Sequence, residues 1–199
     1  MLRDASQLPT IATARLRLRP ITPQDVPSLF AVFGDPAVCR YWSRPALPDL
    51  EAAAALQREI AQHFADRSLF QWGIAEREHD TVVGTCTLAA LSQAHRRAEV
   101  GFALARAVWG RGYMAEALPV LLTCAFDTLA LHRLEADADP RNARSIRVLE
   151  RAGFRREGYL RERYHLEGER QDAVVYGLLR HEWAAALPEA AGRAGSPSR

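Results

Sequence analysis

Two glycines, Gly110 and Gly112, lie between a predicted strand and a predicted helix, an arrangement that can bind an anion. The first N–H groups of a helix have no partner inside it, and the aligned peptide dipoles place partial positive charge there. Glycine also lets a ligand approach the backbone closely, so a diphosphate would fit. The Lys-Ser/Thr pair of a nucleotide-hydrolase P-loop is absent, and Ala115 stands where a dinucleotide-binding motif has its third glycine. A tight turn with glycines for packing explains the loop alone equally well.

Cys86 is a residue that could in principle act as a nucleophile. No histidine can be paired with it from the sequence, so a small buried strand residue is the interpretation that we favour. The chain has three cysteines, which are too few and too scattered for a disulfide framework. No Cys/His group has the spacing of zinc ligands, so no metal is predicted.

The order of predicted elements indicates one mixed α/β domain: a strand, two helices, a run of strands, then helix, strand, helix, strand, strand. The predicted strands are 13–20, 70–75, 81–88, 99–104, 132–138, 155–166 and 173–179. Helices are predicted from Thr22, over 49–65, from Gly112 to about Leu129, and over 142–152. The last of these should end with Gly153 in a left-handed conformation and Phe154 docking after it. We expect an N-terminal extension at 1–12, the domain at 13–186 and a disordered tail at 187–199.

Two separate blocks resemble the GCN5-related N-acetyltransferase (GNAT) superfamily. EVGFALARAVWGRGYMAEAL is similar to its acetyl-CoA motif, a splayed strand leading into a Q/R-x-x-G-x-G/A loop, except that Ala107 stands at the Gln/Arg position beside Arg106. The second block matches the family's Asn-x-x-Ala/Ser…Gly-Phe helix at Asn142, Ser145, Leu149, Gly153 and Phe154. Three segments resemble the ribosomal-protein-alanine acetyltransferase branch: the sequence Trp-Gly-Arg-Gly-Tyr, the opening TARLRLRPITPQD and the Asp35-Pro36 loop. The resemblance covers about residues 13–183.

The resemblance implies an α/β (α+β) domain with a central mixed, mostly antiparallel sheet, splayed at its fourth strand and covered by helices on both faces. It implies direct transfer of an acetyl group from acetyl-CoA to a primary amine. The N-terminal amine of a ribosomal protein is the first candidate acceptor. A polyamine or aminoglycoside acceptor, and a non-catalytic module that binds acyl-CoA, stay open as alternatives. Homodimers are common in the branch, but nothing in the sequence pattern requires one.

The resemblance also implies the cofactor contacts. They are Phe102, Ala103, Leu104, Trp109, Gly110, Arg111, Gly112, Tyr113, Met114, Asn142 and Ser145. The three strand residues would bind the pantetheine arm through their backbone, and Asn142 would bind its amide while capping the helix. Arg141, Arg144 and Arg147 could meet the adenosine 3′-phosphate, although a solvated helix face explains each of them as well.

Glu99 and Ser145 are the candidate catalytic residues. Family members often carry a carboxylate near the splay point, and burial would raise the pKa of Glu99 into a range useful for a general base, acting directly or through a water. The alternative is a solvated carboxylate that pairs with Arg97. Many members place a tyrosine at the position of Leu149, so either Ser145 replaces it as the acid or the thiolate leaves without a dedicated acid. In the branch resembled, a serine at this position has the acid role; the alternative role of Ser145 is a hydrogen bond at the helix start.

The acceptor site is the part least determined by the sequence. Its candidates by region are Arg40, Tyr41, Trp42, Trp72 and Tyr164. Aromatic residues at such spacing are more often core residues than pocket residues.

Composition excludes some classes of function. Lys and Arg number 26 against 24 Asp and Glu, which leaves a net charge of +2 and argues against non-specific nucleic-acid binding. No apolar run has the length of a membrane helix, and the first ten residues have no apolar run of a signal peptide. We therefore predict a cytoplasmic protein whose partners are acetyl-CoA and an amine acceptor, with neither a membrane nor a nucleic acid among them.

Overall fold

One mixed sheet forms the centre of the protein. The computed structural model describes residues 8–166 and 168–186, so the predicted tail and the first seven residues of the predicted extension lie outside the described residues. The strands in the described ranges are β1 (Ile11–Ala12), β2 (Leu16–Pro20), β3 (Phe70–Glu76), β4 (Val82–Ser92), β5 (Arg97–Leu104), β6 (Arg133–Ala138), β7 (Arg155–Leu166) and β8 (Glu169–Leu179). They lie in the order β1-β2-β3-β4-β5-β6-β8-β7, and only β5 and β6 pair in parallel. The expected mixed, mostly antiparallel sheet is confirmed.

Helices cover both faces of this sheet. Those in the described ranges are α1 (Val26–Phe33), α2 (Pro36–Cys39), α3 (Leu50–Ala65), α4 (Tyr113–Thr123), α5 (Ala143–Arg151) and α6 (Arg180–Ala186). A 3₁₀ turn precedes α1, and a π turn over Cys124–Thr128 extends α4 to about the predicted end. None of the described helices combines the length and the apolar character that a membrane span requires.

Two apolar clusters hold the layers together. On one face, α4 and α5 pack against buried strand residues such as Leu134, Tyr176 and Leu178. On the other face, α1 and α3 pack Leu29 and Ile60 against the sheet. Burying a leucine or isoleucine side chain stabilises the fold by about 1.5–3 kcal/mol, so the two clusters fix the sheet between its helices.

Helix α5 has well-defined ends because its flanking residues suit them. At its start, the Asn142 side chain accepts a hydrogen bond from the Ser145 N–H at 3.1 Å. At its end, Gly153 has φ +93°, and the Phe154 N–H donates to the Leu149 carbonyl at 3.1 Å. Phe154 is buried, so the predicted stop and the docking of Phe154 are both confirmed.

The sheet opens between β5 and β6. The two strands pair over only three residues, Arg97–Glu99 with Arg133–Glu135. Beyond them, residues 100–104 stay paired with β4 while residues 136–138 stay paired with β8. We call the resulting gap the strand opening. The splay was predicted at the fourth predicted strand, which is β5 here because the short β1 comes first.

Candidate active site

Phe102 and Leu104 point backbone groups into the strand opening. The Ala105 N–H donates to the Val83 carbonyl on β4 at 2.8 Å, and consecutive strand residues direct these groups to opposite sides. Ala103 therefore bonds toward β4, whereas the backbone groups of Phe102 and Leu104 face away from it. A polar backbone group without a partner is costly when buried, so this edge favours a ligand that can pair with it.

Trp109 pairs with one of those backbone groups, the Leu104 carbonyl. Its indole N–H donates to the Leu104 carbonyl at 2.8 Å. The Arg144 guanidinium of α5 lies 4.6 Å from the centre of the indole ring, within the range of a cation–π contact. Trp109 thus links the edge of β5 to the first turn of α5. Among the described residues, the backbone N–H and carbonyl of Phe102 and the N–H of Leu104 have no partner in the opening, so they remain for a ligand.

The glycine loop presents open N–H groups at the start of α4. Gly110 and Gly112 have φ +79° and +77°, a conformation that glycine adopts without strain. No atom lies within 4 Å of the position that a Cβ of Gly110 would take. In the described part of the chain, no acceptor contacts the N–H groups of Gly110 and residues 112–115. The loop is therefore accessible, and its donors suit a diphosphate.

An ion pair that the sequence analysis missed braces this loop. The Glu116 carboxylate accepts hydrogen bonds from Thr13 Oγ1 at 2.5 Å and from the backbone N–H and Nε of Arg15, both at 2.7 Å. Arg15 also donates to the Arg111 carbonyl at 2.9 Å and lies 4.9 Å from the Tyr113 ring centre. Burial disfavours ionised Glu116, but these hydrogen bonds outweigh it and hold the pKa of Glu116 below its usual range. About a hundred residues separate the partners, so no local pattern could have paired them.

Two of the predicted residues, Asn142 and Ser145, stand at the start of α5. The Asn142 side chain is used as the helix cap, as described above. The Ser145 hydroxyl has no hydrogen-bond partner among the described residues, because the capping bond uses the Ser145 backbone N–H instead. Arg141 is bound to Asp139 at 2.7 Å and to Glu169 at 2.8 Å, so it is already engaged by carboxylates.

Glu99 is the last residue of β5 that pairs with β6, and its side chain is half-buried. No described residue hydrogen-bonds its carboxylate. Arg97, the partner considered in the alternative interpretation, donates instead to Glu135 at 2.6 Å. Burial, and then the charge of Asp137, raise the pKa of Glu99, while Arg163 opposes the shift. A carboxylate whose pKa is raised is a stronger base than an ordinary one, which suits proton acceptance.

The predicted acceptor residues separate into different environments. Tyr164 is half-buried and donates its hydroxyl to Asp137, which lies on the same face of the sheet as Glu99 but on the opposite border of the opening. Tyr41 is half-buried, and the guanidinium of the exposed Arg40 lies 5.3 Å from its ring centre. Trp42 packs edge-on against a core phenylalanine. The prediction for Trp72 is wrong, because this side chain is completely buried in the core and cannot contact an acceptor.

Cys86 should be dispensable for the reaction. Its thiol is completely buried, and burial raises its pKa to about 12, so the nucleophilic thiolate is scarce at neutral pH. We expect Cys86→Ala to keep most of the acetyl-transfer rate, measured by release of free thiol from acetyl-CoA. Mass spectrometry of the wild-type protein after rapid quenching should find no acetylated Cys86. A trapped acetyl-Cys86 together with an inactive variant would contradict direct transfer.

Comparison with known proteins identifies the family. Residues 15–155 match the family described as Acetyltransferase (GNAT) domain. The uncharacterized N-acetyltransferase YoaA of Bacillus subtilis is 33% identical over 172 residues, covering 86% of this chain and 97% of that protein. The [ribosomal protein uS5]-alanine N-acetyltransferase of Escherichia coli is 27% identical over 117 residues, covering 58% and 60%. The spermidine N(1)-acetyltransferase of Escherichia coli is 24% identical over 170 residues, covering 85% and 89%.

The fold agrees with that of solved structures. A GNAT-family acetyltransferase from Bacillus anthracis superimposes with a TM-score of 0.78. The match covers 87% of this chain and 99% of that one at 23% identity. At this identity the likeness concerns the fold alone.

Proposed function

Since this chain belongs to the GNAT acetyltransferase family, we propose that it transfers the acetyl group of acetyl-CoA directly to the N-terminal amine of a protein, with a ribosomal protein as the first candidate. That it is an N-acetyltransferase follows from the family. The observation that carries the proposed mechanism is the strand opening, with the unpaired Glu99 carboxylate at its closed end and the open N–H groups of α4 beyond its other end.

The residues present fit acetyl-CoA. The N–H groups at Gly110 and residues 112–115 would bind the diphosphate at the positive end of α4. The backbone of Phe102 and Leu104 would hold the pantetheine arm along the edge of β5. The thioester would then lie in the strand opening, where a backbone N–H can stabilise the oxyanion that forms during transfer.

Glu99 would prepare the acceptor. An amine is mostly protonated at neutral pH, so it must lose a proton before its nitrogen can attack the thioester carbon. Glu99 takes that proton and later releases it to solvent. The C–N bond forms, the C–S bond breaks to release the thiolate of CoA, and the acylated nitrogen loses its second proton to solvent. The raised pKa of Glu99 suits a general base, because a more basic carboxylate is a better proton acceptor.

Ser145 would protonate the departing thiolate and then recover a proton from solvent. We expect Ser145→Ala to lower kcat by about 10²-fold or more, the usual contribution of a general acid, with little change in KM for acetyl-CoA. Its free energy of unfolding should change by less than about 0.5 kcal/mol, since the hydroxyl makes no cap bond. Asn142→Ala is the matched variant: it removes the actual cap and should cost about 1 kcal/mol. An unchanged kcat in Ser145→Ala would leave the thiolate to depart without this acid.

Charge at the opening favours an acceptor with one ammonium group. On the face that carries Glu99, Glu135 is bound to Arg97 and Arg133, and Glu157 is bound to Arg133. Arginines therefore neutralise those carboxylates, and a polycation would find few free ones. A polyamine is the second candidate, because the spermidine N(1)-acetyltransferase matches a larger share of this chain than the uS5-alanine enzyme does.

A thiol-release assay tests the proposal. The protein and acetyl-CoA are offered N-terminal peptides of ribosomal proteins, spermidine and an aminoglycoside in parallel, and product mass fixes the acetylated nitrogen. We expect the highest kcat/KM on a peptide α-amine. Higher kcat/KM on spermidine would replace the proposed acceptor with the second candidate. Binding of acetyl-CoA without turnover on any amine would contradict the enzymatic proposal and favour a binding module.

A further inference from the structure

Asp137 lies across the strand opening from Glu99. In the parallel pairing of β5 with β6, Glu99 is opposite Glu135, and Asp137 is two residues further along β6. Residues two apart on a strand point to the same face, so the side chains of Asp137 and Glu135 share the face that carries Glu99. The two strands separate between Glu99 and Asp137, and the carboxylates therefore lie on opposite borders of the opening.

Tyr164 holds Asp137 by a hydrogen bond from its hydroxyl group to a carboxylate oxygen. Tyr164 belongs to β7, which is separated from β6 by β8, and a bulge in β7 precedes it. Between the pairs Leu160–Ala173 and Tyr164–Gln171, three residues of β7 oppose one of β8. Bulges bend a strand and redirect its side chains, and they are frequent beside active sites.

The negative charge of Asp137 differs from those of its neighbours. Glu135 lies 2.6 Å from Arg97 and 2.8 Å from Arg133. The hydrogen-bond donor to Asp137 is a neutral hydroxyl, and no described residue forms a salt bridge with it. Tyr164 remains a donor over the whole range in which carboxylates titrate, since burial and Asp137 raise its pKa to about 12.

The other charged groups around Glu99 are few. Arg97 of its own strand and Arg163 of β7 favour its ionised form, while Asp137 and, more weakly, Glu135 disfavour it. After burial, Asp137 has the largest effect on the pKa of Glu99.

We propose that Asp137, oriented by Tyr164, is a positioning residue that controls proton acceptance by Glu99. It fixes a negative charge on the far border of the strand opening, so Glu99 gains a proton more readily than an isolated carboxylate. The same charge draws a cationic amine toward the base. This inference rests on the proposed function, in which Glu99 is the base.

Titration of Glu99 tests the inference without any turnover. Carbon-13 NMR of the full-length protein, with glutamate labelled at its side-chain carboxyl carbon, follows Glu99, and Glu99→Gln assigns the signal by its loss. Removing a nearby negative charge stabilises ionised Glu99, so its midpoint in Asp137→Asn should fall by about half a pH unit or more. Tyr164→Phe should lower it by less, as Asp137 turns toward solvent.

A second Tyr–Asp pair, whose tyrosine also belongs to β7, is the matched control. Asp172 accepts a hydrogen bond from Tyr159, as Asp137 does from Tyr164, but Asp172 is not among the charges with the largest effects on Glu99. Asp172→Asn should leave the midpoint where it is in the wild type. An unchanged midpoint in Asp137→Asn would overturn the inference, and an unchanged one in Tyr164→Phe would overturn the part assigned to the hydroxyl.

The pH profile of kcat/KM separates this inference from the proposed function. In Asp137→Asn the acidic limb should move to lower pH by the same amount as the NMR midpoint. If the wild type acetylates no amine, the proposed function fails while the NMR titration still decides the effect of Asp137. If acetylation proceeds and the limb and the midpoint stay in place, the inference fails alone.

Discussion

Glu99→Gln is expected to lower kcat for acetyl transfer by about 10²–10⁴-fold, the usual contribution of general acid–base catalysis. Glutamine keeps the size of the side chain and cannot take the proton of the ammonium group. Glu99 makes no hydrogen bond in the described structure, so its loss should leave the fold and the acetyl-CoA affinity unchanged. Steady-state kinetics with calorimetry of acetyl-CoA binding measures both quantities.

The pH dependence gives the sign of the effect. Ionised Glu99 is the active form, so wild-type kcat/KM should rise with pH through the pKa of Glu99, which burial and Asp137 raise above its ordinary value. Glu99→Gln should lose this acidic limb along with the rate. Glu78→Gln removes the same charge from the exposed β3–β4 turn, which precedes Val82. Glu99 pairs instead with Ala89 further along β4, so Glu78→Gln should change neither the limb nor the rate. A limb that persists in Glu99→Gln would assign the base to another group.

Gly112→Val is expected to weaken acetyl-CoA binding tenfold or more, which corresponds to about 1.4 kcal/mol. Gly112 has φ +77° at the start of α4, and a branched side chain there both strains the backbone and fills space beside the open N–H groups. The nearest atom to its added Cβ is Arg15 Nη2 at 3.6 Å, so the first carbon strains the backbone without clashing with a neighbour. Isothermal calorimetry gives the affinity.

Gly168→Val separates backbone strain from loss of the anion site. Gly168 has φ +85° in the β7–β8 turn, and no atom lies within 4 Å of its added Cβ. Both variants should lose a similar free energy of unfolding, roughly 1–2 kcal/mol for a left-handed non-glycine residue. Only Gly112→Val should lose affinity. Equal affinities for acetyl-CoA in the two variants would contradict binding of the diphosphate at this loop.

Local chemistry made much of the fold predictable. The ends of α5 follow from Asn142 and from Gly153 followed by Phe154, because a cap and a left-handed stop depend on residues three or four apart. The Gly110–Gly112 loop could be placed between a strand and a helix for the same reason.

The site was harder to predict from the sequence, because its contacts join residues that are far apart in the chain. Sequence proximity suggested that Arg97 would pair with Glu99. In the structure Arg97 donates instead to Glu135, which lies on the parallel neighbouring strand β6. Tyr164 was chosen by region, yet its contact with Asp137 depends on a bulge that no hydrophobic pattern reveals. Trp72 was assigned to the acceptor site because aromatic type alone does not distinguish a core residue from a pocket residue.

The brief contact between β5 and β6 makes the domain two half-sheets joined along a short seam. Three residue pairs connect β5 with β6 directly, and packing of the apolar clusters holds the two half-sheets together elsewhere. A ligand lying in the gap would add hydrogen bonds to the strand backbone that the two strands do not make with each other. Binding of the cofactor in the gap would then join the two half-sheets, and its release would separate them again. While bound, the cofactor acts as a temporary ninth strand.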